Sequence, residues 1–550
     1  MKAFRFGDVP ASFCVLAVLV SASVGQAGDD LRLTFRSKID DTDQPYRLYV
    51  PGAYDGKTPL PLVIALHGTG GTEATLFEKY GDGAIKRAAE KHGVLLVSPL
   101  GRGTTEYYGI GENDIFCVLA DVQQRYRVDP DRICVTGHSM GGTGAARLAL
   151  EHPDVFAAAA PLAPANSHPH LAPNATHVPL WWILGGEDEP YYLKTVLVGA
   201  ERTLLQGRPH RISILPGRGH GDWVPEYFDP VFDWLLKHRR VAHPREYVFA
   251  ALSPMHGRAY CTAIDRIAEP GAVGTLDVRI EGKGTVRVRT KNVAAFAVFP
   301  EPRLMDLTGT IAVRVDETTA FEGPVDERSE IRCVFDKGAG WKGSRAQQRR
   351  RDLTAWRTHP VASSDGEVGM QGFEAPLANW IADAMRRATN ADIAFYNRFA
   401  YRGLPLPKGD VDMVDLIQAS RPFEQLLVTT EMSGRDLLEI LEANVPDAAE
   451  KPKLDRLVQV SGMRYAFDRR RPKGRRVVST DLNPDRSYKV VLEGQVPERE
   501  TIYLAGRFGR LDYRITETPF LGALYARAVT TGRISVGVEG RVRDVSSDEK

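Results

Sequence analysis

Arg132–Leu150, RICVTGHSMGGTGAARLAL, is the stretch that decides the fold. Ile133 to Thr136 is a short apolar, β-branched run of the kind that forms a strand buried on both faces, and from Thr143 onward Ala and Leu recur at helical spacing. A tight turn has to join the two. Gly137-His138-Ser139-Met140-Gly141 reads G-x-S-x-G, a pattern whose small flanking residues let the backbone fold sharply enough to leave the serine Oγ exposed. The same turn places Ser139 at the N-terminus of the following helix, where unpaired N–H groups stabilise developing negative charge.

Three further parts lie around this turn. Upstream, Pro61 to Leu66 (PLVIAL) reads as a buried strand ending in His67-Gly68-Thr69-Gly70-Gly71. A glycine-rich turn after a strand leaves N–H groups pointing outward, so Thr69 and Met140 are the candidate oxyanion donors. A helix is expected over residues 73–91, a strand over 94–98, and a helix capped by Asn113; this alternation predicts a parallel sheet covered on both faces. Downstream, Pro179 to Asp188 (PLWWILGGED) is a strand running into an acidic turn, where Glu187, Asp188 and Glu189 are candidate acids. Position along the strand favours Asp188, with Glu189 as the alternative. After the short strand Arg211 to Leu215 comes Pro216-Gly217-Arg218-Gly219-His220-Gly221, which offers an imidazole on a flexible loop. Ser139 as nucleophile, Asp188 as orienting acid and His220 as proton carrier follow one another in the order that a G-x-S-x-G hydrolase uses.

Composition sets the bounds. With 550 residues, 43% hydrophobic and 26% charged, the chain can build two or three domains with cores of their own. A net charge of +1 supplies no field for gathering nucleic acid, and no nucleic-acid partner is expected. Residues 1–27 read as a secretory signal: Lys2 and Arg5, then an apolar run from Ala11 to Val24, then Gly25-Gln26-Ala27 at a cleavage site. That run falls short of the roughly 20 residues of a spanning helix, so a secreted or periplasmic protein with no membrane span after signal removal is expected. Four cysteines then remain, of which Cys261 and Cys333 are a plausible pair and Cys134 a core residue.

The segments LHGTGG, DPDRICVTGHSMGG, FAAAAPLAPA, PLWWILGGEDE and PGRGHGDW resemble the α/β-hydrolase superfamily, in its secreted esterase and prolyl-oligopeptidase-like peptidase S9 branch. The resemblance implies a catalytic domain over residues 28–243, a mostly parallel sheet flanked by helices, no cofactor, and a small-molecule or polymer ester as substrate. A serine peptidase with the same machinery is the alternative. The prolyl enzymes' propeller is absent before the domain, which favours esters.

Beyond it the pattern switches to period 2, as in Leu276, Val278 and Ile280, and a β-sandwich is expected over residues 244–337. Residues 338–365, with the run Arg349-Arg350-Arg351, read as a solvated linker. In residues 366–550, EAPLANWIADAMR, ADIAFYNRFAYRG, KGDVDMVDL, RPFEQLLV, SGRDLLEILE and VQVSGMRYAFD resemble the α+β C-terminal domain of 5′-nucleotidases. That resemblance implies a nucleotide or nucleoside ligand approached by Asn397 and Arg402, and so a nucleotide-binding protein as a further alternative. The companion metallophosphoesterase has no counterpart, because Asp-x-His and Asn-His-Asp/Glu are missing, and no metal site is expected. Asn174-Ala175-Thr176 has the form of a glycosylation sequon.

Overall fold

The computed structural model describes residues 28–103, 105–188, 190–207, 209–354, 360–398, 403–420, 426–448, 457–493 and 512–546, with the side chains at 190–192 and 194 left aside. Residues 1–27, read above as a secretory signal, lie outside the described residues, as do Glu189 and Arg402.

Eight strands form the first sheet: β1 (Asp29–Arg36), β2 (Asp43–Val50), β3 (Leu60–Leu66), β4 (Leu95–Pro99), β5 (Val128–His138), β6 (Ala158–Leu162), β7 (Trp181–Gly185) and β8 (Arg211–Leu215). Their spatial order is β1-β2-β4-β3-β5-β6-β7-β8. β2 runs against both neighbours, and from β4 to β8 every pairing is parallel. Parallel strands need crossover helices, and these are α1 (Thr75–Glu78), α2 (Ala84–His92), α3 (Ile110–Arg125), α4 (Met140–Glu151), α5 (Pro190–Leu204) and α6 (Val224–Leu235). Leu62, Ile64 and Leu66 of β3 join one core with α3, α4 and α5, while Val63 and Ala65 join another with α2 and α6. The strand's period of two thus feeds both faces of the sheet. This is the α/β-hydrolase architecture.

Two local expectations are corrected. The helix over residues 73–91 is broken into α1 and α2, because Gly81, Asp82 and Gly83 take φ of 59°, 47° and 78°. A β-carbon on Gly81 would stand 2.6 Å from the Pro225 side chain, so α6 packs where an unbroken helix would have carried a side chain. Asn113 is no cap: α3 begins at Ile110, and Asn113 Nδ2 donates instead to the Thr354 carbonyl at 2.9 Å.

Residues 246–347 form two five-stranded sheets packed face to face. Along Gly274–Glu281 the buried Leu276, Val278 and Ile280 alternate with the exposed Asp277, Arg279 and Glu281. The sandwich runs further than residue 337. Gly340–Gln347 pairs with Ser329–Asp336 along its whole length, and residues 338–339 are only the hairpin turn. The arginine run is not a solvated linker either. Arg349 is ion-paired with Asp265 at 2.8 Å and Glu330 at 2.9 Å, and Arg351 is ion-paired with Asp154 of the hydrolase unit. Asn174, the sequon residue, is buried; its Nδ2 donates to the Leu150 and Ala250 carbonyls at 2.8 Å each, tying the sandwich to the hydrolase unit.

Cys261 and Cys333 share the sandwich core yet both are free thiols. Cys333 lies opposite Phe296, and Phe296 opposite Ile264, so a full strand separates Cys333 from the strand that Cys261 precedes. Two inter-strand steps of about 4.8 Å exceed the roughly 7 Å between α-carbons that a disulfide spans.

The last unit has a five-stranded sheet of Gln459–Ser461, Ile393–Tyr396, Ser487–Leu492, Leu426–Ser433 and Tyr513–Pro519, in that spatial order, with helix Pro376–Thr389 against it. Its helix Met413–Ser420 meets the hydrolase unit at Gly109, where a β-carbon would stand 2.5 Å from Val414. Among the described residues no helix is long and apolar enough to cross a membrane.

With no bridge between Cys261 and Cys333, thiol titration of the denatured, unreduced protein is expected to count Cys117, Cys134, Cys261 and Cys333 as free. Reductant is expected to leave the melting temperature unchanged; a drop of about 5 °C or more, the scale of a lost stabilising cross-link, would contradict this.

Candidate active site

Ser139 sits between β5 and α4 with φ 57° and ψ −116°, a backbone conformation that a side-chain-bearing residue holds only under surrounding constraint. The constraint is visible in its neighbours. A β-carbon on Gly137 would lie 2.5 Å from the Gly141 carbonyl oxygen, and one on Gly141 would lie 2.1 Å from the Leu66 oxygen of β3. Only glycine lets the strand–helix turn press this closely on the adjacent strand. The Ser139 N–H donates to the Leu162 carbonyl of β6 at 2.9 Å, and Thr143 N–H begins the helix on the Ser139 carbonyl.

The loops after β7 and β8 bring the other two groups to Ser139. His220 Nε2 is 2.8 Å from Ser139 Oγ, and His220 Nδ1 is 2.9 and 3.0 Å from the two carboxylate oxygens of Asp188. The carboxylate can only accept, so the imidazole proton is on Nδ1 and Nε2 accepts from the serine hydroxyl. The Asp188 side chain is 2% exposed and the His220 side chain 37%, so the acid is sheltered while the imidazole faces solvent. Of the three acidic residues, Glu187 is tied by its N–H to the Arg218 carbonyl at 2.8 Å, and Glu189 is outside the described residues. The His220 loop is itself clamped: Asp222 accepts from Gly219 N–H at 3.1 Å, and Trp223 Nε1 donates to the Gly219 carbonyl at 2.9 Å.

His138, the variable residue of the G-x-S-x-G pattern, has a part that the sequence reading missed. Its Nε2 lies 2.7 Å from the His220 carbonyl oxygen and its Nδ1 2.8 Å from Tyr80 Oη. A carbonyl cannot donate, so Nε2 carries the proton and Nδ1 accepts from the tyrosine. Burial pushes the His138 imidazole down to about 4, against the lesser opposing pull of the His220 carbonyl, which keeps it neutral. Burial also holds the Tyr80 hydroxyl protonated. Buried His138 and half-buried Tyr80 therefore hold the backbone of His220. The only signal in the sequence was a histidine beside the serine, which is ambiguous without knowing what faces it.

Of the two oxyanion candidates, Met140 is the first residue of α4 and is buried; Thr69 is exposed on the turn after β3. That turn touches the serine, since a β-carbon on Gly68 would stand 3.4 Å from Ser139 Cβ. Beneath it the Tyr107 hydroxyl donates to the His67 carbonyl at 2.9 Å, and a His67 ring nitrogen bonds the Leu100 carbonyl at 3.0 Å. In the last unit, Asn397 is buried directly after the strand Ile393–Tyr396, and Tyr396 is stacked on Phe520 with ring centroids 6.3 Å apart.

Comparison with known proteins finds family matches in the hydrolase unit and in the last unit. Residues 117–221 match the Esterase family, described as "Putative esterase", and residues 360–494 match the 5′-nucleotidase C-terminal domain. The chain thus carries an esterase-family domain fused to a 5′-nucleotidase C-terminal domain. Among curated proteins it is 35% identical over 130 residues to "Putative esterase NocK" of Nocardia uniformis subsp. tsuyamanensis, covering 22% of this chain and 37% of that protein. It is 31% identical over 133 residues to Endonuclease YhcR of Bacillus subtilis (strain 168), covering 24% of this chain and 10% of that protein. Among solved structures, a ferulic acid esterase aligns at 17% identity and a TM-score of 0.35, covering 38% of this chain and 98% of that one.

A histidine held near 4 when folded and near 6.5 when free takes up a proton on unfolding at any pH between those values. The folded state therefore loses stability as the pH falls through that window, by about 1.4 kcal/mol for every tenfold difference in proton affinity between the folded and unfolded chain. His168, pushed by burial to about 3, acts in the same direction. His138→Gln, which keeps a donor and an acceptor, is expected to flatten the fall in melting temperature between about pH 6.5 and pH 4. An unchanged slope in a pH series of thermal melts would contradict the assignment.

Proposed function

We propose that this protein is a serine hydrolase that cleaves a carboxylic ester through an acyl-enzyme on Ser139, with His220 as general base and acid and Asp188 as the orienting carboxylate. The observation that carries the reading is the unbroken relay from Ser139 Oγ to His220 Nε2, at 2.8 Å, and from His220 Nδ1 to Asp188, at 2.9 Å. As Oγ attacks the ester carbonyl, its proton passes to Nε2, and Asp188 balances the imidazolium that forms. The carbonyl oxygen, turning negative, takes hydrogen bonds from the Met140 and Thr69 N–H groups, each such donor being worth about 10² to 10³ in rate. The imidazolium then protonates the leaving alcohol. Water enters by the same route in reverse and frees the acid.

The Esterase family match over residues 117–221 supports an ester as the scissile group. The 5′-nucleotidase C-terminal match supports a nucleotide or nucleoside ligand on the last unit, beside Asn397. The composition of residues 1–27 supports export to the periplasm or the medium.

A fluorophosphonate probe is expected to label the wild-type protein at Ser139, located by peptide mass, and to leave Ser139→Ala unlabelled. Hydrolysis of p-nitrophenyl acetate is expected to fall about 10⁴-fold or more in Ser139→Ala and by a similar order in Asp188→Asn, which fixes the wrong tautomer of His220. A wild-type protein that is neither labelled nor active would overturn the proposal. Faster turnover of a peptide p-nitroanilide than of the ester would move it to the peptidases.

A further inference from the structure

At the junction of the hydrolase unit, the sandwich and the segment that leaves it lies a cavity of about 230 Å³. Its polar wall includes Arg258, Arg349, Arg350, Arg351, His152 and His256. Its apolar wall includes Phe116, Ile264 and Phe299. His152 follows Ser139 by thirteen residues along α4, and at about 1.5 Å per residue this places the cavity some 20 Å from the serine.

The carboxylates around the cavity are already engaged. Glu112 takes Arg147 at 2.6 Å, His152 at 2.9 Å and His256 at 3.2 Å; Asp265 takes Arg349 at 2.8 Å, and Asp154 takes Arg351. Glu151 is bonded to Arg147 and to His256, and Asp352 accepts from the N–H and hydroxyl of Thr354 at 2.9 and 2.7 Å. The acidic and imidazole groups here would also suit a cation. The Arg147 guanidinium already fills that role, and although burial opposes it, Glu151 and Glu112 push His256 up to about 9 and so keep it charged at neutral pH.

Two cations remain without a carboxylate. Among the described residues neither Arg258 nor Arg350 has an acidic group within ion-pair distance, which is 4.0 Å. Arg258 lies over the Phe299 ring, 3.8 Å from its centroid, and gives one N–H to the Arg349 carbonyl at 3.1 Å, while its Nε is buried with no hydrogen-bond partner. His152 Nδ1 is likewise buried and unpartnered. Burial and the charge of Arg351, against the pull of Asp154, push Arg258 down to about 10, so an anion beside its guanidinium would favour the charged form.

We propose that this cavity binds a small phosphate monoester, with Arg258 and Arg350 donating to its phosphoryl oxygens and its apolar body against Phe116 and Ile264. Guanidinium forks match a multi-oxygen anion, and several converging donors suit a phosphoryl group better than a planar carboxylate. The volume lies below the roughly 300 to 1,000 Å³ of pockets for drug-sized ligands, so the ligand is compact. Arg350 is exposed and marks the mouth.

The test is calorimetry on the full-length Ser139→Ala protein, which keeps the cavity and removes the nucleophile. Phenyl phosphate is expected to bind at one site, about tenfold or more weakly in Arg350→Ala and more weakly still in Arg258→Gln. Among the described residues Arg350 is exposed and unpaired, so Arg350→Ala is expected to keep the melting temperature of the wild-type protein. No heat with phenyl phosphate, or binding that Arg350→Ala leaves unchanged, would overturn the site. Benzoate binding as tightly as phenyl phosphate would overturn the phosphoryl assignment, and inorganic phosphate binding as tightly would overturn the role of the apolar wall.

Discussion

At Ser139 the chain turns from a central strand into a helix while pressed against the strand beside it, and the missing β-carbons of Gly137 and Gly141 are what make that contact sterically feasible. A methyl group at either position would stand 2.5 or 2.1 Å from a carbonyl oxygen, well inside van der Waals contact. The serine's positive φ is held within this packing, by the bond from the Ser139 N–H to the Leu162 carbonyl and by the close approach of the Leu66 carbonyl to Gly141. Local strain of this kind costs on the order of 1 to 3 kcal/mol and persists only where the surroundings over-determine it. Here the surroundings are the middle of an eight-stranded sheet, the part of the molecule least able to yield.

The remaining site groups depend on that fixed point in turn. Parallel order places the ends of β5, β7 and β8 on one edge of the sheet, so loops distant in sequence converge there. Asp222 and Trp223 hold the His220 loop at Gly219. The neutral Tyr80–His138 pair adds a second anchor, holding the His220 carbonyl and leaving both imidazole nitrogens of His220 for Ser139 and Asp188. Burial serves His138 well because its task needs one donor and one acceptor, which only the neutral ring provides.

Away from the site, arginine does much of the joining. Arg351 reaches Asp154, Arg349 closes on Asp265 and Glu330, and Arg147 sits buried between Glu112 and Glu151 beneath the Tyr108 ring. Planar guanidinium groups keep their charge when buried and bridge several acceptors at once, which suits a junction of three units better than lysine would. A run that looked like solvated charge is therefore structural, apart from Arg350.

The parts legible in the sequence were those set by local chemistry. The elbow shows in its glycines, the buried strands in their apolar runs, the sandwich in its period of two, and Ser139, Asp188 and His220 in their spacing after strand ends. What escaped depended on partners distant in the chain. Residues 73–91 have helical periodicity, yet α6 packs at Gly81 and breaks them; Cys261 and Cys333 share a core, yet a strand stands between them; the role of His138 is defined by Tyr80 and by the carbonyl of His220. The sequence by itself determined which segments are strands, which turn carries the serine and which residue types surround it, because those follow from periodicity and backbone sterics. Only the tertiary structure decided which charges are neutralised, which thiols stay apart and which histidine supports the other, because each is a distance between groups that the chain order leaves open.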